Sequence, residues 1–266
     1  IGGADLNGFP IDHFTHPDIE EYDPIADSWR TVGVGMPDSA YTWGTCAVVQ
    51  GNLIYIMGGT RDSFGSASTR MAAYDPDTDS YTSLAPIPIG VSDGACAVVG
   101  GSIYYFGGYQ SGTWGAAPNS LVFVYDINDD SWQTAITVTP VPRANAAAIA
   151  IGANVYIVGG WDGSGTYGGL YNTVDMYEPT LDQWTTGVPD PLGCIEDDGS
   201  SYKGRSGLTL HRANDGVIDQ VYAIGGNIGI SLPTRCNEAA AFPDIGEIFA
   251  DDFESGNTDA WTATSP

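Results

Sequence analysis

The chain is 266 residues long and carries 33 Asp and Glu against eight Lys and Arg, a formal net charge of −25 at pH 7. With a single lysine, Lys203, it has no basic cluster to neutralise phosphate, which excludes nucleic acid and anionic membrane surfaces as partners. No apolar run is long enough to cross a bilayer, so no membrane insertion is expected, and the length suffices for a substantial core.

Taken in chain order, the predicted elements repeat. The chain opens on Ile1-Gly2-Gly3, the end of a strand whose predecessor is absent, so the array is expected to be truncated at its N-terminus. A hairpin follows, running from Tyr22-Asp23-Pro24 to Trp29, with Asp and Pro making the turn. Next come a small-residue strand over 46–49, a turn at Gln50-Gly51-Asn52, and an apolar strand over 53–57 closed by Gly58-Gly59. The hairpin from Tyr74-Asp75-Pro76 to Tyr81 completes that unit. The same order returns over 96–99, 103–106, Gly107-Gly108 and the hairpin from Tyr125 to Trp132. It returns again over 147–150, 155–158, Gly159-Gly160 and the hairpin from Tyr177 to Trp184. The last unit has an apolar strand over 221–224 and Gly225-Gly226, but Cys236-Asn237-Glu238 stands where the Tyr marker belongs.

The Tyr markers recur at intervals of 52, 51 and 52 residues. A fixed period near 50 signals a propeller or another repeat architecture. Small side chains suit innermost strands crowded around an axis, glycine pairs let backbones approach, and the Tyr and Trp rings can pack between neighbouring sheets. Four strands per period make a four-stranded blade. With glycine pair, Tyr-Asp or Tyr-Glu and aromatic in register four times, the chain resembles the kelch-repeat β-propeller family, in its secreted bacterial form. The resemblance implies an all-β fold of four-stranded antiparallel kelch blades, about five of them, over 1–245. An acidic tail or extra strand over 246–266 lies apart from the repeats.

Kelch propellers carry ligand sites at one mouth, formed by the residues after each glycine pair and those entering the inner strand. Carried over position by position, the resemblance implies ligand contacts at Tyr109 and Trp161 from the first set. Tyr41, Trp43, Asp93, Arg143 and Arg205 come from the second. Aromatic rings with a few Arg and Asp side chains suit stacking and paired hydrogen bonds to a glycan or a protein. The expected function is a non-catalytic extracellular recognition scaffold, secreted or at the cell surface and of bacterial type, for glycan or protein ligands. A fibre subunit assembling by strand exchange and a carbohydrate-active enzyme of mutarotase or oxidase type are the alternatives.

Catalytic residues are not assembled by the sequence. Gly90-Val91-Ser92-Asp93-Gly94 formally matches a nucleophile elbow, yet a small-residue strand follows where a helix is required. No cofactor is expected; Glu196-Asp197-Asp198-Gly199 is the candidate calcium loop, and the Asp residues of the hairpins read as turn formers. Cys46 and Cys96 occupy matching places on adjacent inner strands, aligned with Ala147, and read as buried free thiols. Cys194 and Cys236, in the irregular last unit, are expected to form a disulfide that clamps the end of the array.

Overall fold

The computed structural model describes residues 4–7, 12–15, 19–32, 43–60, 66–110, 117–134, 137–164, 169–189, 194–195, 201–202, 206–214, 219–224, 226, 237–240 and 251–252. Among these every regular element is a strand. The chain divides into two compact units, Ile1–Pro142 and Arg143–Pro266.

In the first unit, β1 (Ala4–Asn7) pairs with β2 (Asp12–Thr15), and β3 (Ile19–Asp23) pairs with β4 (Ser28–Val32). Two complete blades follow, each antiparallel and in sequence order. The first contains β5 (Thr45–Gln50), β6 (Leu53–Gly58), β7 (Met71–Asp75) and β8 (Ser80–Ser83). The second contains β9 (Ala95–Val99), β10 (Ser102–Phe106), β11 (Val122–Asp126) and β12 (Ser131–Thr134).

The second unit holds a third blade of β13 (Ala147–Ile151), β14 (Asn154–Val158), β15 (Thr173–Glu178) and β16 (Gln183–Pro189). A short pair, β17 (Cys194–Ile195) and β18 (Ser201–Tyr202), comes next. The last sheet is β19 (Thr209–Asn214), β20 (Asp219–Ile224), β21 (Asn237–Ala240) and β22 (Asp251–Asp252). Asp251 and Asp252 thus pair at the outer edge of this sheet, with Ala239 opposite Asp251 and Glu238 opposite Asp252.

The sequence pattern explains the blades. The small-residue strands β5, β9 and β13 each lie at one edge of their sheet, and the apolar strands β6, β10 and β14 lie beside them. Blade faces then meet through apolar side chains. In the first unit Tyr55, Met57, Met71 and Ala73 of one blade pack with Cys96, Ile103, Tyr105, Phe123 and Tyr125 of the next. In the second, Ala147, Tyr156, Val158 and Val174 pack with Leu208, Val221 and Ala223.

Each outer hairpin is closed by one recurring device. Tyr22, Tyr74, Tyr125 and Tyr177 lie against Trp29, Tyr81, Trp132 and Trp184 as tilted pairs with centroids 5.0, 5.0, 5.1 and 4.8 Å apart. Each Tyr hydroxyl donates to an Asp five residues on, Asp27, Asp79, Asp130 and Asp182, at 2.7, 2.9, 2.7 and 2.7 Å. All four Asp residues sit in the left-handed region, with φ of 47°, 53°, 47° and 52°. Asp tolerates that region and can hydrogen-bond locally, so one residue shapes the turn and anchors the ring. The acid that follows each Tyr, Asp23, Asp75, Asp126 or Glu178, has a separate task. The Asp75 carboxylate accepts from the Asp77 N–H and the Thr78 hydroxyl, both at 2.9 Å. This is turn chemistry.

In the second blade the device also reaches its neighbour. The Ala85 N–H donates to Asp130 at 2.7 Å, and the Trp132 indole N–H donates to the Ala85 carbonyl at 2.8 Å. The Ala85 N–H first, and the Tyr125 hydroxyl second, hold the Asp130 carboxyl below the usual carboxylate range. In the first hairpin the corresponding rings stand open. Tyr22 is 43% exposed and Trp29 68%, whereas Tyr74, Tyr125 and Tyr177 are 1–2% exposed.

The cysteines require a correction. Cys46 and Cys96 are not free thiols but a disulfide that spans 50 residues and joins the inner strands of adjacent blades, with their Cα atoms 6.1 Å apart. Matching positions on neighbouring inner strands fall within disulfide reach. Ile1-Gly2-Gly3, the 196–199 loop and Cys236 lie outside the described residues, so the Cys194–Cys236 pairing does too.

Two outcomes follow. Replacing both Cys46 and Cys96 by Ala is expected to lower stability by about 2–4 kcal/mol, seen as a fall in Tm on the order of 10 °C. A peptide map that fails to link the two cysteines in unreduced protein would contradict the assignment. Asp130→Ala is expected to lower Tm at neutral pH more than Asp27→Ala, since only Asp130 holds a neighbouring blade. Because the folded state lowers its pKa, that contribution is complete above the unfolded value of about 3.9 and is lost as pH falls below it through the lower folded value. Thermal scans of both variants from pH 7 to pH 3 check the order and the trend.

Candidate functional site

The end of each blade that carries the glycine pair is also where the inner strand begins, because Thr45 pairs with Gly58 across β5 and β6. Of the expected ligand residues, Trp43, Asp93, Tyr109, Arg143 and Trp161 are described, and all belong to segments at this end. Main-chain hydrogen bonds stitch it together beyond the sheets.

In the first unit, the Thr60 N–H donates to the Trp43 carbonyl at 3.0 Å, and Ser68 to Gly59 at 2.7 Å. Val91 donates to Ser68 at 2.9 Å, and Ser92 and Tyr109 exchange bonds of 3.0 and 2.8 Å. The Asp93 N–H donates to the Gly44 carbonyl at 2.8 Å, crossing from one blade to the next. The glycine pair makes this crossing possible. Gly58 has a φ of 67°, and a Cβ there would lie 2.7 Å from the Val91 carbonyl oxygen. Only glycine combines that conformation with that approach.

This rim presents Trp43, Asp93 and Tyr109, all partly buried. Burial raises the Asp93 carboxyl above its ordinary value, and a hydrogen bond from Ser92 opposes the shift. The Tyr109 phenol is pushed up to about 12, by burial first and by the Asp93 charge second. Tyr105 beneath is fully buried, accepts a hydrogen bond from the Gly94 N–H at 3.0 Å, and is raised chiefly by burial. Ser92, the residue in the nucleophile position of the formal motif, is 1% exposed and lies in a main-chain bridge. Strand β9 follows it. This is not the geometry of a nucleophile elbow.

In the second unit, Trp161 exchanges main-chain bonds with Ala144 at 3.0 and 2.9 Å, and its indole N–H donates to the Ser164 carbonyl at 3.2 Å. Tyr171 donates its N–H to Gly160 at 2.9 Å. The Gly207 N–H donates to Asn145 at 2.7 Å, matching the Asp93–Gly44 bond of the first unit.

Arg143 takes a different place from the one expected. It is 2% exposed, and its guanidinium hydrogen-bonds the Asp175 carboxylate and the Gly159 carbonyl, the latter at 2.9 Å. The Tyr171 ring covers it, with 4.7 Å from Cζ to the centroid. Burial pulls the guanidinium below its ordinary value, and Asp175 opposes this. Asp175 sits where the β15–β16 register shifts between Val174 and Met176. A bulge of this kind re-aims a side chain. Arg143 is therefore an internal clamp that braces the Gly159–Gly160 turn, and its correction leaves Trp161 as the rim residue described in this unit. Tyr41 and Arg205 lie outside the described residues. Among the described residues no group of three or more His, Cys, Asp or Glu side chains is arranged to hold a metal.

The sheets and their stitched ends define an all-β repeat domain of four-stranded antiparallel blades, the propeller class. Residues 44–242 match the KLHDC2/KLHL20/DRC7 Kelch-repeats domain. The chain belongs to the kelch-repeat family, whose domains generally serve as protein-interaction scaffolds. Similar proteins include Kelch-like protein terF of Aspergillus terreus, 27% identical over 189 residues, covering 69% of this chain and 40% of that protein. Kelch-like protein 25 of Xenopus tropicalis is 31% identical over 177 residues, covering 65% of this chain and 28% of that protein. The chain thus spans less than half the length of either. The solved structure of YjhT superposes with a TM-score of 0.69 at 14% identity, covering 94% of this chain and 79% of YjhT, a likeness of fold. Both sequence relatives are eukaryotic, so they support the family and not its secreted bacterial form.

Arg143→Ala is expected to destabilise by about 3–5 kcal/mol, because it leaves Asp175 buried without its counter-charge. Arg143→Ala combined with Asp175→Leu should recover much of that loss. Denaturant unfolding of the single and double variants measures both, and a single variant as stable as wild type would contradict the clamp.

Proposed function

We propose that this domain is a non-catalytic recognition scaffold, working outside the reducing cytoplasm, that binds a protein or glycan partner at its glycine-pair rims. One observation carries the reading. Trp43, Tyr109 and Trp161 have their main chains hydrogen-bonded to neighbouring rim segments, while their side chains stay partly exposed. Rigid, amphipathic rings held this way lose little conformational entropy on binding, which is what a preorganised contact surface requires. Scaffold strands and presenting loops divide the labour.

The Cys46–Cys96 disulfide supports the placement, since structural disulfides persist in oxidising compartments and are rare in the cytosol. Strong negative charge favours partners with basic surfaces, through faster encounter as well as contact.

Parallel protein and glycan arrays probed with the wild-type chain, Tyr109→Ala and Trp161→Ala test the reading. Wild type is expected to bind members of one array, with signals reduced about tenfold or more by at least one substitution, as for a buried aromatic contact. Binding that survives both substitutions unchanged would remove the rims from the account.

A further inference from the structure

The four residues that enter the inner strands at corresponding positions are Gly44, Asp93, Asn145 and Gly207, with φ of 69°, 56°, 54° and 67°. Only Asp93 among them carries a charge. Its N–H is fixed to the Gly44 carbonyl at 2.8 Å, so the base of the side chain is held in place. Its carboxylate lies over Gly44, where a Cβ would come within 2.8–2.9 Å of Oδ1, Cγ and Oδ2. The missing side chain at Gly44 is what leaves the carboxylate its room.

Among the described residues, the groups that interact with this carboxylate are neutral. Ser92 donates a hydrogen bond to it, and the Tyr105 and Tyr109 phenols both feel its charge. The ion pairs among the described residues are Arg30 with Glu21 and Arg143 with Asp175, and neither involves Asp93. Asp175, the other acid set deep at a blade end, has an arginine of its own. Asp93 is a partly buried carboxylate, preorganised beside aromatic rings, without a counter-charge among the described residues. A cation brought by a partner would recover the desolvation this carboxylate has already undergone, and the Tyr109 ring offers it a π face.

We infer that Asp93 anchors a cationic side chain of a protein partner, an arginine or lysine, seated at the rim beside Tyr109 and Trp43. This rests on the recognition reading above and adds the chemistry of the ligand. The net charge of −25 acts in the same direction but is spread over the molecule, whereas Asp93 supplies one defined position.

A randomised peptide library selected on the full chain tests this. Peptides from wild type are then measured against Asp93→Asn, Glu20→Gln, Tyr109→Ala and Trp43→Ala. Asp93→Asn keeps the left-handed turn, since Asn145 already occupies the corresponding position at φ 54°. Glu20→Gln removes the same charge from an exposed site on β3. Selected peptides are expected to share an Arg or Lys at one fixed position. Their affinity should fall about tenfold or more on Asp93→Asn, as for the loss of a desolvated ion-pair partner. It should fall less than about threefold on Glu20→Gln, as for a diffuse surface charge. Equal losses in those two variants would overturn the inference, as would rim-dependent peptides with no basic residue. In the second case Tyr109→Ala or Trp43→Ala would still abolish binding, so the recognition reading would stand. Peptides indifferent to all rim variants, or no selected peptides at all, would overturn both.

Discussion

A main-chain amide of one blade reaching the carbonyl of the corresponding residue in the blade before it is the constraint on which the candidate site depends. It appears as Asp93 to Gly44 in the first unit and as Gly207 to Asn145 in the second. For that bond to form, the chain must turn into the left-handed region just before each inner strand, and all four residues do so. Gly adopts this conformation freely, and Asp and Asn are the side chains that accept it at least cost. Once inner strands are held this close, Gly58 and Gly108 have no room for a Cβ, and the residues beyond the glycine pairs are drawn into the same hydrogen-bonded band. The rim is braced through its backbone, and the side chains of Trp43, Tyr109 and Trp161 stay partly exposed on it.

The outer hairpins solve a separate problem. Far from the inner strands, adjacent blades need a lock that works at the surface. A tyrosine, a left-handed aspartate and a second aromatic close each hairpin within eight residues, and in the second blade Asp130 and Trp132 supply that lock by taking both polar groups of Ala85. The Cys46–Cys96 disulfide adds a covalent link between inner strands of the same two blades. Stability is thus distributed over the inner edge, the packed faces and the outer edge, while the glycine-pair rim keeps partly exposed aromatics.

Much of this was legible in the residues. The 50-residue period, the order of strands in each blade and the tyrosine–aromatic pairs all follow from local patterns with a known spacing. The aspartate five residues after each tyrosine was visible as a turn former, but its bond to the tyrosine hydroxyl was not, because that depends on its left-handed backbone. The disulfide was within reach of the sequence. Cys46 and Cys96 stand at matching positions, and matching positions on adjacent inner strands are spatial neighbours; the small-residue pattern pointed to burial and concealed the pairing. Arg143 was misplaced for a different reason. A residue at the mouth of a blade can turn inward when an acid waits there, and Asp175 is presented by a register shift in β15 that no local pattern announces. Tyr22 and Trp29 show the converse, since the same motif that is buried elsewhere is exposed where no inner strands stand beside its hairpin among the described residues.

Amide hydrogen exchange of the native chain, resolved by residue, addresses the stitched rim most directly. The Asp93 and Gly207 amides lie at strand entrances, where an unbonded N–H would exchange as fast as a surface loop. The account predicts protection at both comparable to that of Tyr105 and Val221 inside the sheets, lost only as the blades themselves open. Exchange at loop rates from Asp93 and Gly207, with the sheet amides still protected, would contradict it.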